Sequence, residues 1–228
     1  MNRQETLSID EGATVTSLMS GAQVGTPRGK RVFDVSFAGL GLIFSFPLWI
    51  LVAVGIKLED GGPVFYRQER VGQGGRSFWS WKFRSMIPDA DARFGPKQAE
   101  HADERVTRVG RLLRATALDE LPQLWNIFKG DMSFVGPRPL MPTEIETNGN
   151  GKAIPIEEIP GYIERHQVQP GLTGLAQVYA PRDIPRQQKF RFDLAYIENQ
   201  NLLLDFKLIA ISFWITVRGK WESGDKKF

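Results

Sequence analysis

The sequence predicts an α/β protein: a compact catalytic domain of mixed helices and short strands, with an N-terminal re-entrant membrane helix hairpin and interfacial amphipathic helices. Three observations lead there. One uncharged run of 22 residues, Val35 to Ile56, interrupts a chain that is otherwise globular in composition, with 42% hydrophobic and 24% charged residues. Segments of helical period alternate with short runs of period two, bounded by Gly and Pro. The 228 residues suffice for one sizeable core. The expected division is a flexible tail over 1–29, a re-entrant membrane helix over 30–58, and a cytoplasmic catalytic domain over 59–228 that ends in an interfacial helix.

The chain has no Cys, which excludes disulfides, thiolate-bound zinc, iron–sulfur clusters and thiol catalysis. Its two His, His101 and His166, are too far apart to form a local metal motif. What remains is oxygen chemistry: carboxylates, hydroxyls and hard metals. A net charge of +3 is a mild bias that suits an anionic ligand, a nucleic acid or an acidic lipid surface and selects none of them.

Residues 1–29 are rich in Ser, Thr, Gly and Gln and show no periodicity, hence the flexible tail. The uncharged run that follows would reach roughly 33 Å as a straight helix, enough to span a bilayer. Pro47 near its middle argues for a kink, and Ser45 is placed to satisfy a freed carbonyl. Basic residues flank both ends, Arg28, Lys30 and Arg31 before and Lys57, Arg67, Arg70 and Arg76 after. A helix that enters, breaks at Pro47 and returns keeps both clusters on the cytoplasmic side. A single-pass anchor stays open on length alone. A secretory signal fits less well, because about 30 residues precede the run and no small-x-small cleavage site follows it.

Past a turn at Glu59–Pro63, Val64–Gln68 reads as a strand and Ser77–Ser85 as its return, joined through Val71–Gly75. Period two then sets Trp79, Trp81 and Phe83 on one face and Phe78, Ser80, Lys82 and Arg84 on the other. Two cations thus share a face, as in a phosphate-binding surface or an ordinary solvated strand. The glycines of the joining turn are no dinucleotide fingerprint, since an aromatic strand rather than a helix follows. Asp89-Ala90-Asp91 has the D-x-D form used by some glycosyltransferases to hold a metal. Arg108, Arg111 and Arg114 recur every third residue along one helix face.

Leu121, Leu124, Trp125 and Phe128 follow i, i+3, i+4, i+7, and Gly130 is a natural stop, so a short amphipathic helix is predicted there. Pro122 must sit in its first turn, which puts Asp119 and Glu120 at or near a helix N-terminus. Carboxylates and bound anions are favoured there. Two readings stand side by side: Thr116 and Asp119 as a helix-capping pair, or Asp119 and Glu120 as reactive carboxylates. Beyond the helix, Arg138 lies between Pro137 and Pro139, a stiff extended setting suited to bidentate phosphate binding.

Six motifs in order carry a resemblance: Lys30-Arg31-Val32-Phe33-Asp34; Pro63-Val64-Phe65-Tyr66-Arg67-Gln68-Glu69-Arg70-Val71-Gly72; Lys82-Phe83-Arg84-Ser85-Met86; Leu118-Asp119-Glu120-Leu121-Pro122-Gln123; Gly136-Pro137-Arg138-Pro139; and Pro170-Gly171-Leu172-Thr173-Gly174-Leu175-Ala176-Gln177. Over roughly residues 30 to 220 the chain resembles the bacterial sugar transferases, the monotopic polyprenyl-phosphate phosphoglycosyl transferases, in the small form without extra N-terminal membrane helices. The resemblance implies transfer of sugar-1-phosphate from a UDP-sugar to a polyprenyl (undecaprenyl) phosphate with release of UMP, at the cytoplasmic face of the bacterial inner membrane. It implies Asp119 as nucleophile through a covalent phospho-sugar, Glu120 as its partner, and Mg²⁺ held by Asp119 and Glu120. Lys82, Arg84, Arg114 and Arg138 are then the candidate phosphate ligands, and Ser45 and Pro47 the membrane break. The family often places Ser directly before the break proline, whereas Phe46 stands there in this chain. The implied partners are donor, acceptor and membrane lipid, with a homodimer allowed and no nucleic acid. The alternatives are a membrane-bound glycosyltransferase using Asp89 and Asp91, and a non-enzymatic basic membrane adaptor.

Toward the C-terminus, the uncharged run Leu208–Val217 is too short to cross a bilayer. It reads as an interfacial helix with Trp214 and Trp221 at headgroup level, or equally as a core helix.

Overall fold

The computed structural model describes residues 29–94, 103–147, 153–181 and 184–218. The expected tail, apart from Gly29, lies outside the described residues, as does Trp221. The chain runs α1 (Lys30–Asp60), β1 (Phe65–Val71), β2 (Ser77–Phe83), α2 (Ala90–Phe94), α3 (Arg108–Ala115), α4 (Gln123–Lys129), β3 (Ser133–Val135), β4 (Ile145–Thr147), β5 (Ala153–Pro155), α5 (Tyr162–Arg165), β6 (Gly171–Thr173), α6 (Leu175–Tyr179), α7 (Arg186–Asn199) and α8 (Leu202–Val217). Helices and short strands are mixed, as expected. The strands form three separate pairs, antiparallel β1–β2 and β4–β5 and parallel β3–β6.

Helix α1 is one 31-residue element with Pro47 in its interior, long and apolar enough to cross a membrane. The helix continues through the proline, so two half-helices joined by a loop are not what is seen. Ser45 Oγ accepts a hydrogen bond from Trp49 Nε1 at 3.0 Å, one turn further along the same helix. Residues from both halves enter the core. Ala38 packs with Leu124, Ile127 and Met132, while Val52 and Ile56 pack with Phe83 and Leu113. Between them Ile43, Phe44, Phe46, Ile50 and Leu51 are exposed.

Polar side chains fix both ends of α1 to the same body. Lys30 Nζ meets Asp205 of α8 at 2.5 Å, and Arg31 donates to the Ile127 and Phe128 carbonyls that end α4. At the other end Glu59 accepts from the Arg108 and Val109 amides and so caps α3, while Asp60 pairs with Arg84. Asp205 also accepts from Tyr196 Oη, whose ring lies in the largest core cluster with Val135, Leu208 and Ile215.

The strands of the β1–β2 hairpin are shifted from their expected bounds: β1 runs on to Val71, and β2 closes at Phe83 rather than Ser85. Phe65 faces Phe83, Arg67 faces Trp81 and Glu69 faces Trp79. The parallel β3–β6 pair brings the Gly136 and Gly171 motifs together. A Cβ on Gly171 would stand 2.0 Å from the Gly136 nitrogen, so glycine is required by backbone approach alone. The C-terminal helix buries Leu208, Ser212 and Ile215 in the core and leaves Leu203, Phe206, Phe213 and Trp214 exposed on the other side.

Candidate active site

The α3–α4 junction places the carboxylates. Thr107 Oγ1 caps α3 by accepting from the Gly110 amide at 3.0 Å. The chain reverses at Ala117, whose φ of 54° is uncommon for a residue with a Cβ and marks a fixed, strained turn. A single 3₁₀ turn, Leu118–Glu120, follows, and Pro122 precedes α4. Asp119 and Glu120 are therefore in the turn immediately before the helix, near its N-terminus as expected. The capping pair does not form, because Thr116 Oγ1 donates backward to the Leu112 carbonyl at 2.8 Å. Asp119, at 8% exposure, is buried without serving as a cap.

Burial raises the Asp119 carboxyl to about 6; Lys82 and Arg114 oppose the rise and Glu120 adds to it. Glu120 moves the other way. Burial would raise it too, but Lys82, Arg138 and the Gln123 amide together hold it below the usual carboxylate range. Lys82 forms an ion pair with Glu120. Two adjacent carboxylates are thus driven apart in acidity, the pattern of an acid–base or nucleophile site.

The pair opens on a cleft of about 1150 Å³, large enough for a nucleotide-sugar. Its lining combines Arg70, Lys82, Arg114, Arg138 and Arg186 with apolar Leu172, Ile209 and Phe213. Arg138 is exposed, and its guanidinium makes no ion pair among the described residues. Its backbone is held from behind: Arg165 Nη2 donates to the Arg138 carbonyl at 2.7 Å, and Arg165 is paired with buried Asp193 at 2.9 Å.

Of the sequence-predicted set, the structure brings together Asp119, Glu120, Lys82, Arg114 and Arg138. It does not bring in Arg84 in the same way. The Arg84 guanidinium borders the cleft but is spent on both oxygens of Asp60 and on the Pro63 and Met86 carbonyls. Arg84→Met is therefore expected to lower stability by about 2–3 kcal/mol, less than for a fully buried pair because Asp60 is partly exposed. Thermal unfolding checks this. The Arg84 pair also holds the Asp60 carboxyl down at about 2, so this contribution persists above the ordinary Asp range and fades as pH falls toward 2.

Two cleft residues escaped the sequence reading. Arg70 shares the inward face of β1 with Tyr66 and Gln68 and donates to the Pro139 carbonyl at 3.2 Å. The alternation Tyr66, Gln68, Arg70 was the signal, hidden by ending the strand early. Arg186 arrives from α7, paired with Glu144, and nothing local to it announces the cleft. Of the D-x-D residues, Asp89 is exposed at the cleft edge with φ 58°, and the Asp91 side chain lies outside the described residues. Among the described residues no three His, Asp or Glu gather as a metal cluster.

The description of the bacterial sugar transferases matches residues 26–219. The chain belongs to that family. Among similar family members is an undecaprenyl-phosphate glucose phosphotransferase of Komagataeibacter xylinus, 42% identical over 80% of this chain and 35% of that protein. A UDP-glucose:undecaprenyl-phosphate glucose-1-phosphate transferase of Caulobacter vibrioides is 43% identical over 79% of this chain and 66% of its own length. The exopolysaccharide production protein ExoY of Rhizobium meliloti is 36% identical over 79% of this chain and 81% of its own. This chain thus spans little more than a third of the first relative and most of the last.

Proposed function

We propose that this family member transfers sugar-1-phosphate from a UDP-sugar to undecaprenyl phosphate and releases UMP, in the synthesis of a bacterial surface polysaccharide. The observation that carries the reading is the Asp119–Glu120 pair, its acidities separated, facing a basic cleft in a chain of this family. Asp119, ionised above about pH 6 yet more basic than an ordinary carboxylate, attacks the sugar-bearing phosphorus; the bond to the UMP oxygen breaks. The acceptor phosphate then attacks the resulting acyl phosphate and frees Asp119. Lys82, Arg114 and Arg138 offset the charge gathered in each step. Apolar Leu172, Ile209 and Phe213 suit the polyprenyl chain.

Mg²⁺ fits the donor set in a limited way. Asp119 and Glu120 are hard oxygen donors, and a Mg²⁺ that keeps water and substrate phosphate in its shell needs few protein ligands. When bound it would neutralise diphosphate charge.

The same reading places α1 as a re-entrant element, with both ends at the cytoplasmic face. A straight helix of this length would be about 46 Å long. Yet Lys30 and Asp60, at opposite ends, are both paired to the catalytic body, while Ile43, Phe44, Phe46, Ile50 and Leu51 around Pro47 are exposed. The bend belongs at Pro47.

The activity is tested by incubating the purified chain with undecaprenyl phosphate and a panel of UDP-sugars, with Mg²⁺, and measuring UMP. Acceptor-dependent UMP from at least one sugar is expected. A membrane glycosyltransferase would release UDP instead.

A further inference from the structure

The outer face of the β1–β2 hairpin is turned away from the cleft and is not used by the chemistry above. It carries Arg67 and Glu69 from one strand and Trp79 and Trp81 from the other, with Phe65 at the start of β1 bordering both this face and the cleft. The Arg67 guanidinium carbon lies 4.7 Å from the Trp79 ring centre and 5.9 Å from that of Trp81. Arg67 makes no ion pair among the described residues, and Glu69 on the same face takes none either. A guanidinium held by two aromatic rings keeps its edge N–H groups for an outside acceptor.

This face is continuous with α1. The Trp49 ring stands 5.9 Å from Phe65 and 5.3 Å from Phe83, so the hairpin begins where the apolar helix surface ends. On the other side of β2, Asn126 of α4 bonds the backbone of Trp79 and Trp81. The next turn of α4 shows a stacked, exposed pair, Trp125 and Phe128, with Phe128 against Gly39 of α1. Tryptophans rimming an apolar segment, with one Arg among them, match the chemistry of a bilayer interface. A protein partner would have to compete with the membrane that α1 enters beside this face.

We propose that this hairpin face is a lipid-docking surface, in which Trp79 and Trp81 lie at headgroup level and Arg67 binds the phosphate of a phospholipid headgroup. The proposal rests on α1 being embedded, and it adds a second contact between the protein and the bilayer, reached through the sheet. Docking there would hold the cleft, which opens on the opposite hairpin face, at a set height above the membrane.

The absence of Cys makes site-directed spin labelling direct. The full chain carrying Ser77→Cys, on the same exposed face, is labelled and reconstituted in phosphatidylcholine bilayers containing a headgroup-linked Ni²⁺ chelate; a second protein carries the label at Phe44→Cys. The Phe44 label should be accessible to oxygen and shielded from the chelate, which tests α1 alone. The Ser77 label should be strongly relaxed by the chelate. That relaxation should fall toward its detergent value in Arg67→Gln protein, and likewise for the unsubstituted Arg67 in bilayers of phosphate-free digalactosyldiacylglycerol. UMP release by Arg67→Gln in detergent should match that of wild type. An embedded Phe44 label with an aqueous Ser77 label would overturn the docking face and leave the helix reading intact. A Ser77 signal unchanged by Arg67→Gln would overturn the phosphate contact. An aqueous Phe44 label would remove the premise and the proposal together.

Discussion

Asp119→Asn enzyme, given UDP-sugar without acceptor, is expected to release no UMP, whereas the wild type releases at most one equivalent and gains the mass of one phospho-sugar on the peptide containing residue 119. With acceptor present, turnover should fall by about 10⁴–10⁶-fold, the range seen when a nucleophile or its essential partner is removed. Folding should not suffer. Burial raises the Asp119 carboxyl, so in the wild type its ionisation costs stability as pH rises from about 4 to 6. Asn escapes that cost, and the variant should melt at or above the wild-type temperature at pH 8. A variant that lost activity because it unfolded would contradict this pairing, and a full UMP burst from it would return Asp119 to a passive role.

The second large effect belongs to Lys82. It is the ion-pair partner of Glu120 and the main charge opposing the rise at Asp119. Lys82→Met should reduce kcat/KM by about 10²–10³-fold, the usual scale for losing one charge-stabilising group. It should also displace the acidic limb of the pH–rate profile. With Asp119 as the nucleophile, wild-type activity is expected to fall as pH drops through about 6, where its carboxyl protonates. Without Lys82 the ionised form loses the cation that most opposes its burial, so the limb moves to higher pH. A reduced rate with an unmoved limb would show that Lys82 serves the substrate and not the carboxylates.

The legibility of this site in sequence was uneven, for physical reasons. Period two sorted Lys82 correctly from Trp79 and Trp81, because a strand's alternation is local. The helical spacing of Leu121 to Phe128 and the stop at Gly130, where φ reaches 100°, were equally local and fixed α4 to within a turn. Pro122 marks where the helix starts and sets the carboxylates near that start, but nothing in the chain betrays the left-handed turn at Ala117 that ends α3 and leads into them. Arg84 looked like Lys82's companion on the strand. Its commitment to Asp60 depends on how α1 ends, 24 residues earlier, and such pairings leave no periodic trace. Arg186 came from another helix altogether.

The apolar helix is built into two regions of the core, and synthesis runs from the N-terminus. Lys30 leaves the ribosome 175 residues ahead of its partner Asp205, a wait of roughly 9–35 s at ordinary elongation rates. Until Phe83, Leu113 and the residues of α4 follow, Val52, Ile56 and Ala38 have no protein partners to cover them, and until α8 follows the body has no complete interior of its own. For this chain the long apolar helix is therefore not a detachable tag but an early-made part of the site's foundation, and the cleft cannot be completed without it.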